Sequence, residues 1–373
     1  MQVSSRDHGR IRKERVQNMG RKWRKRIVSV VMVVAMVFGG AASVSLAQGQ
    51  NGKMQAVQAA SVAEKNRKML FSAHGKLSVK GTNLVDEDGK AFQLRGISTH
   101  GLSWFPQYVN KKAFKQLRDK WGCNVVRLAM YTGEYNGYCT GDEQNRKNLE
   151  KLVQQGVKYA TELDMYVIID WHILSDGNPN TYLKESKSFF KKMSKKYKNN
   201  DNVLYEICNE PNGGVSWSDV RSYATKIVKT IRKNDKDKII IIGSPTWSQD
   251  VDVAAQNPVK GKNLVYSLHF YASTHKDWLR QKAQTALDNG LALMITEFGI
   301  CDASGNGWID EAEANRWIEF LDKNNISYMM WSFCNKAESA SILKSECTKT
   351  YGFRKSDLSQ AGLWLVKTLK KAL

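Results

Sequence analysis

Two glutamates stand where apolar runs of this chain stop. The first run is Val203-Leu204-Tyr205-Glu206-Ile207-Cys208-Asn209-Glu210-Pro211, and the second is Leu293-Met294-Ile295-Thr296-Glu297-Phe298-Gly299. A short apolar stretch with β-branched members, ended by Asn-Glu-Pro or by a carboxylate before Gly, reads as a buried strand giving way to a loop. Glu210 and Glu297, brought to one rim, can form an acid and base pair. Alone, either is equally well explained as a cap for the helix that follows.

The same polar and aromatic set recurs at the other strand ends. His100 and Trp104 follow the first strand, Arg127 and Tyr131 lie on the second, and Asp170-Trp171-His172 ends the third. His269-Phe270-Tyr271 ends the sixth, and Trp331, followed by Lys336, lies on the eighth. Taken singly, Arg127 reads as a structural ion pair, His172 and His269 as satisfied core histidines, and Trp331 as packing. Their joint placement on one rim is not explained by packing. Two carboxylates among Arg, His, Tyr and Asn suit glycoside hydrolysis, in which one is protonated to give a proton and the other is ionised to attack. A nearby Arg and a Tyr hydroxyl favour the ionised nucleophile, and a less charged pocket keeps the other acid neutral. Asn209, one residue before Glu210, is placed to hold a sugar 2-hydroxyl.

The elements that must position these residues alternate strictly. Strand-like runs over 92–97, 124–129, 165–170, 203–208, 238–243, 264–270, 291–297 and 327–333 are separated by segments such as 111–121, 146–163, 217–234 and 311–324. The intervening segments carry apolar residues at three- and four-residue spacing, with Lys and Glu on the other face. Eight β-then-α units predict an α/β fold: a single (β/α)8 TIM barrel over 74–373, entered through a short N-terminal β-hairpin around Gly81. An open doubly wound sheet wants a phosphate-binding Gly-rich turn after its first strand, and Gly96-Ile97-Ser98-Thr99-His100-Gly101 does not supply one.

The runs Asn124 to Thr132, Val167 to Leu174, Tyr205 to Asn212, His269 to Ala272 and Thr296 to Gly299 resemble the bacterial endo-β-1,4-glucanases of glycoside hydrolase family 5. That resemblance spans nearly all of residues 75–373 and implies a retaining cellulase on a TIM barrel. It implies Glu210 as acid/base and Glu297 as nucleophile, with Arg127 and Tyr271 fixing Glu297 and His269 in the hydrogen-bond network around the pair. His100 and His172 would line the −1 subsite, Asn209 would meet the 2-hydroxyl, and Trp331 would be the −1 sugar platform. Trp104, Tyr131 and Trp247 resemble flanking subsite aromatics, and Lys336 with Glu338 the polar groups of neighbouring subsites. The chain departs from the pattern at Phe298, where relatives often carry Trp, and at Cys208, where a small residue is usual.

Composition narrows the alternatives. The formal charge of +21 includes a net +8 from residues 1–26, and the remaining +13 is spread over helical segments without an RNA-binding motif or helix-turn-helix, so nucleic acid is not the expected partner. Eleven tryptophans suit a surface that stacks on flat ligands such as sugar rings. Six scattered cysteines lack zinc-site spacing, and their pairing stays open. Arg21-Lys22-Trp23-Arg24-Lys25-Arg26, the uncharged run Ile27 to Phe38 and Ser45-Leu46-Ala47 read as a signal peptide over 1–47, followed by a flexible leader over 48–73. The expectation is a secreted, extracellular monomer acting on a β-glucan polysaccharide, with membrane attachment only if the N-terminal segment stays uncleaved.

No metal or organic cofactor is required by this chemistry. One motif pulls another way: Asp302 to Glu313 has EF-hand spacing, although a strand rather than a helix precedes it. The alternative there is a loop in which Asp310 caps the next helix. The same mechanism on mannan or xylan, and a non-catalytic carbohydrate-binding barrel, are the competing functional readings. A Ser-His-Asp hydrolase is disfavoured further, because no Gly-x-Ser-x-Gly elbow occurs.

Overall fold

The strand alternation decides which side chains reach the barrel interior. In β4 (Val125–Tyr131), Val125, Ala129 and Tyr131 join interior clusters, while Val126, Leu128 and Met130 pack in the layer between strands and helices. The period of two therefore turns Arg127 inward. In β5 (Tyr166–His172), Val167, Ile169 and Trp171 face the helices, which leaves Asp170 and His172 on the inner face. These two strands are thus apolar inside at their start and polar inside near their C-terminal end.

The computed structural model describes residues 62–373; the expected signal peptide lies outside them. After a hairpin of β1 (Ser78–Lys80) and β2 (Asn83–Val85), the strands β3 (Arg95–Thr99), β4, β5, β6 (Val203–Glu206), β7 (Ile240–Ile242), β8 (Leu264–Tyr271), β9 (Leu293–Gly299) and β10 (Ser327–Phe333) close into a barrel in which β10 pairs with β3. All barrel pairs are parallel, as the β/α alternation predicts. Helices between strands bury the expected faces. In Trp217–Arg232 the buried positions are Trp217, Val220, Tyr223, Ala224, Ile227, Val228 and Ile231, and a Ser216–Asp219 capping box starts the helix.

The hairpin plugs the N-terminal end of the barrel. Leu77 and Leu84 join Phe92, Leu94, Ile168, Leu204, Met294 and Met329 in one buried cluster. The first barrel strand therefore begins at Arg95 rather than at Phe92, because Phe92 and Leu94 serve this plug.

A β-bulge in β9 sits at the opposite, C-terminal end and is registered by both neighbouring strands. From Ser267 to His269 on β8 is two residues, but their partners Met294 and Glu297 on β9 are three apart; from Tyr328 to Met330 on β10 is again matched by three, Ile295 to Phe298. The extra residue lets both Thr296 and Glu297 face the interior, and Phe298 returns to the outer layer. A similar irregularity in β10 between Met330 and Phe333 holds Trp331.

The leader expected to run flexibly to residue 73 is shorter at its C-terminal side. Residues 62–67 are helical, Leu70 is buried, and Asn66 donates from Nδ2 to the carbonyls of Arg118 (2.7 Å) and Cys123 (3.1 Å). Arg118 lies in the Leu117–Trp121 helical turn and Cys123 just beyond it, so Asn66 ties the N-terminal helix to that turn. Asn66→Ala should therefore lower unfolding stability by about 1–3 kcal/mol in a denaturant titration; an unchanged midpoint would place residues 62–70 outside the cooperative unit.

Candidate active site

The two glutamates meet across the barrel mouth. An oxygen of Glu210, an oxygen of Glu297 and a ring nitrogen of His269 all lie within 4.8 Å of one another, and all three residues are buried. Tyr271 donates its hydroxyl to Oε1 of Glu297 at 2.9 Å, and Nη1 of Arg127 reaches Oε2 at 3.2 Å. Glu297 is thus held from both sides by donors. Glu210 has a different partner, Nδ1 of His269 at 2.9 Å.

Behind them, Arg127 makes the inner framework. Its Nε donates to Glu206 at 2.7 Å, and Nη2 donates to Oδ1 of Asn209 at 2.6 Å and lies 3.0 Å from Asp170. Asn209 in turn donates to the carbonyl of Ile173 and lies 3.2 Å from Nε2 of His172, whose Nδ1 is 2.6 Å from Asp170. Arg127 and Asn209 are fully buried and stand behind the cleft rather than on its wall.

This framework separates the two acids electrostatically. Burial pushes Glu210 up to about 8, opposed by the Arg127 charge and reinforced by Asp170 and Glu206. Burial, and then the charge of Glu210, push Glu297 up to about 7, opposed by His269, Arg127 and the Tyr271 hydroxyl. Donors from Arg127 and Tyr271 favour Glu297 as the ionised member of the pair, and Glu210, which faces a neutral imidazole, is favoured as the protonated one. Burial drives His269 down to about 4 and His100 to about 3, so both are neutral imidazoles.

The cavity over this pair has a volume of 680 Å³ and takes at least one lining residue from the end of, or the loop after, each of the eight barrel strands. His100, Trp104, Tyr131, His172, Trp247, His269, Tyr271, Trp331, Lys336 and Glu338 all line it. Trp331 stacks on His172 with ring centroids 5.3 Å apart and planes 17° from parallel, and Trp104 lies 4.7 Å from Tyr131. Lys336 pairs with Glu338 at 2.5 Å.

A family model described as Cellulase (glycosyl hydrolase family 5) matches residues 85–337. The chain belongs to glycosyl hydrolase family 5. It is similar to Endoglucanase A of Butyrivibrio fibrisolvens, 44% identical over 81% of this chain and 70% of that one, and to an endoglucanase of Clostridium saccharobutylicum, 48% identical over 79% and 65%. Among solved structures it resembles Cellulase Cel5C_n (44% identity, TM-score 0.76, covering 81% of this chain and 93% of that one). It also resembles the catalytic domain of Thermobifida fusca endoglucanase Cel5A in complex with cellotetraose (34%, TM-score 0.76, 80% and 99%).

In this family 5 hydrolase the cleft also contains residues that the motifs did not single out. Glu134, Leu174, Gln249, His275 and Ser304 line it from loops, and Asp170, Glu206 and Thr296 sit beneath it. Loop residues carry no periodic signal, but Glu206 was legible as the inward partner of Leu204 in a buried strand. Trp247 reaches the cleft from an unusual turn: Thr246, Trp247 and Ser248 have φ of 55°, 54° and 58°, a costly backbone for three non-glycine residues. Ser248 secures the turn by donating to the carbonyl of Asn209 at 2.6 Å.

Cys208 does not enter the site. It packs in the outer layer between strands and helices, and burial pushes its thiol up. All six cysteines are free.

The 302–313 loop takes the capping alternative. Asp310 accepts from the Glu313 amide at 2.9 Å and pairs with Lys276, Glu313 pairs with Arg280 and Arg316, and Asp302 accepts from Ser304. Its carboxylates are spent on protein donors rather than gathered on a cation.

The Tyr271 hydroxyl favours ionised Glu297, so removing it raises that pKa. For Tyr271→Phe the acid limb of the kcat/KM pH profile should move to higher pH by about one unit, while the alkaline limb stays; an acid limb that is unmoved or shifted down contradicts this assignment.

Proposed function

We propose that the chain is a retaining endo-β-1,4-glucanase in which Glu297 attacks the anomeric carbon and Glu210 protonates the leaving oxygen. The observation that carries this reading is the closeness of the two carboxylates. Retaining glycosidases place their carboxyl groups about 5–5.5 Å apart, whereas inverting ones need roughly 6.5–9.5 Å to admit a water. One oxygen of Glu210 and one of Glu297 lie within 4.8 Å of each other, which favours the retaining spacing.

In the first step, ionised Glu297 forms a glycosyl ester as the proton of Glu210 passes to the departing sugar. In the second, Glu210 takes a proton from water, the water oxygen bonds the anomeric carbon, and Glu297 leaves. Arg127 and Tyr271 orient Glu297 throughout. Asn209, expected at the 2-hydroxyl, is fully buried behind the cleft wall and instead braces Arg127, the Ile173 carbonyl and His172. The stacked Trp331 offers a sugar platform beside His100 and His172, and Trp104, Tyr131 and Trp247 extend the aromatic floor. Internal cleavage is supported by a cleft that takes lining residues from the end of, or the loop after, every barrel strand. Relatives named as endoglucanases support a β-1,4-glucan as the polymer.

Secretion is supported by the basic stretch Arg21 to Arg26 followed by the apolar run Ile27 to Phe38.

Glu210→Gln should cost about 10²–10⁴-fold in kcat on carboxymethyl cellulose, with azide restoring turnover of an activated aryl glycoside. Glu297→Gln should lose at least as much, without rescue to a retained product. The parent protein should drop the viscosity of carboxymethyl cellulose faster than it releases reducing ends. Near-parental rates in either variant would refute the assignment, and activity confined to mannan or xylan would overturn the polymer.

A further inference from the structure

The hydrogen bonds of Glu210 continue past His269. Oε1 of Glu210 lies 2.9 Å from Nδ1 of His269, Nε2 of His269 lies 2.8 Å from Oγ1 of Thr296, and that hydroxyl lies 2.7 Å from Oε1 of Glu206. All four residues are buried. The β9 bulge is what aims Thr296 into this line while Glu297 points into the cleft.

Such a chain has a direction, because a hydroxyl has one hydrogen and a neutral imidazole has one N–H. Arg127 sets it. Its Nε donates to Oε2 of Glu206 at 2.7 Å and its Nη2 to Oε1 at 3.2 Å, and a guanidinium can only donate. Burial is the larger influence on Glu206 and opposes ionisation, but the Arg127 charge acts against it, and both Glu206 oxygens already serve as acceptors. Thr296 then donates to Glu206, its oxygen accepts from Nε2–H of His269, and Nδ1 is left bare. Only a protonated Glu210 completes the last link.

We propose that Glu206, acting through Thr296 and His269, is a positioning residue that keeps Glu210 in its acid form before each turnover. This rests on the reading of Glu210 as acid/base. Once Glu210 has given its proton to the leaving oxygen, its carboxylate faces the lone pair of Nδ1. That contact is relieved when Glu210 takes a proton from the attacking water, so the same polarity strengthens it as a base in the second step. The other charged or titratable groups facing these four are Arg127, Asp170, Glu297, Tyr131, Tyr271 and His172, and none of them belongs to the line.

Thr296→Val cuts the line and leaves the Arg127–Glu206 pair in place. His269 is then free to carry its proton on Nδ1 and donate to ionised Glu210, which lowers the Glu210 pKa. The alkaline limb of kcat/KM on a polymer should move down by about one pH unit, a roughly tenfold change in proton affinity, with the acid limb of Glu297 unmoved. Thr296→Ser, which keeps the hydroxyl, should restore the parental profile. A uniform loss of rate with an unchanged profile in Thr296→Val would mean a merely structural role and overturn the proposal.

A second readout needs no folded variant of Thr296. In ¹⁵N-histidine-labelled parent protein, the His269 ring should carry its proton on Nε2 at neutral pH, and a proton on Nδ1 would overturn the proposal. Failure of the acid/base reading itself would show separately, as activity retained by Glu210→Gln.

Discussion

The buried guanidinium of Arg127 is the interaction on which the site depends. It is a single cation in direct contact with Asp170, Glu206 and Glu297, and it bonds Ser98 and Asn209 as well. Its partners come from β3, β5, β6 and its following loop, and β9, so one side chain ties half of the barrel mouth together. Burial would weaken the cation, but the carboxylates around it hold it charged. Removing it would leave several carboxyl groups buried without a counter-charge, a change that typically costs about 3–5 kcal/mol.

One cation among four buried carboxyl groups also constrains their protons. All four cannot ionise in so little water, because each further negative charge is opposed by desolvation and by its neighbours. What distinguishes them is hydrogen bonding. Glu297 receives donors from Arg127 and Tyr271, and Glu206 receives two from Arg127, whereas Glu210 faces a neutral imidazole. The proposed division into nucleophile and acid therefore rests on the scaffold beneath the cleft.

The barrel was legible because its signal is repeated: eight apolar runs, each followed by a helical face, leave few other folds. The rim residues were legible for the same reason, since a strand that is apolar until its last inward position advertises that position. What escaped the sequence is whatever breaks the period. The β9 bulge moves Thr296 and Glu297 to the same face, and no residue pattern marks it. The left-handed turn that presents Trp247 contains no glycine. Cys208 is adjacent to Asn209 in sequence, yet strand pairing stops at Glu206 and the thiol turns outward. Asn66 anchors residues that read as linker because its bonds are made to distant carbonyls.

The central claim is that the closely spaced pair works by double displacement through Glu297. The most direct test is incubation with an activated 2-deoxy-2-fluoro-β-cellobioside, which slows breakdown of the glycosyl ester, followed by mass measurement of the protein and its peptides. A single added disaccharide on the peptide containing Glu297 is the expected result. Label on Glu210, or turnover with inversion at the anomeric carbon and no adduct, would contradict the account.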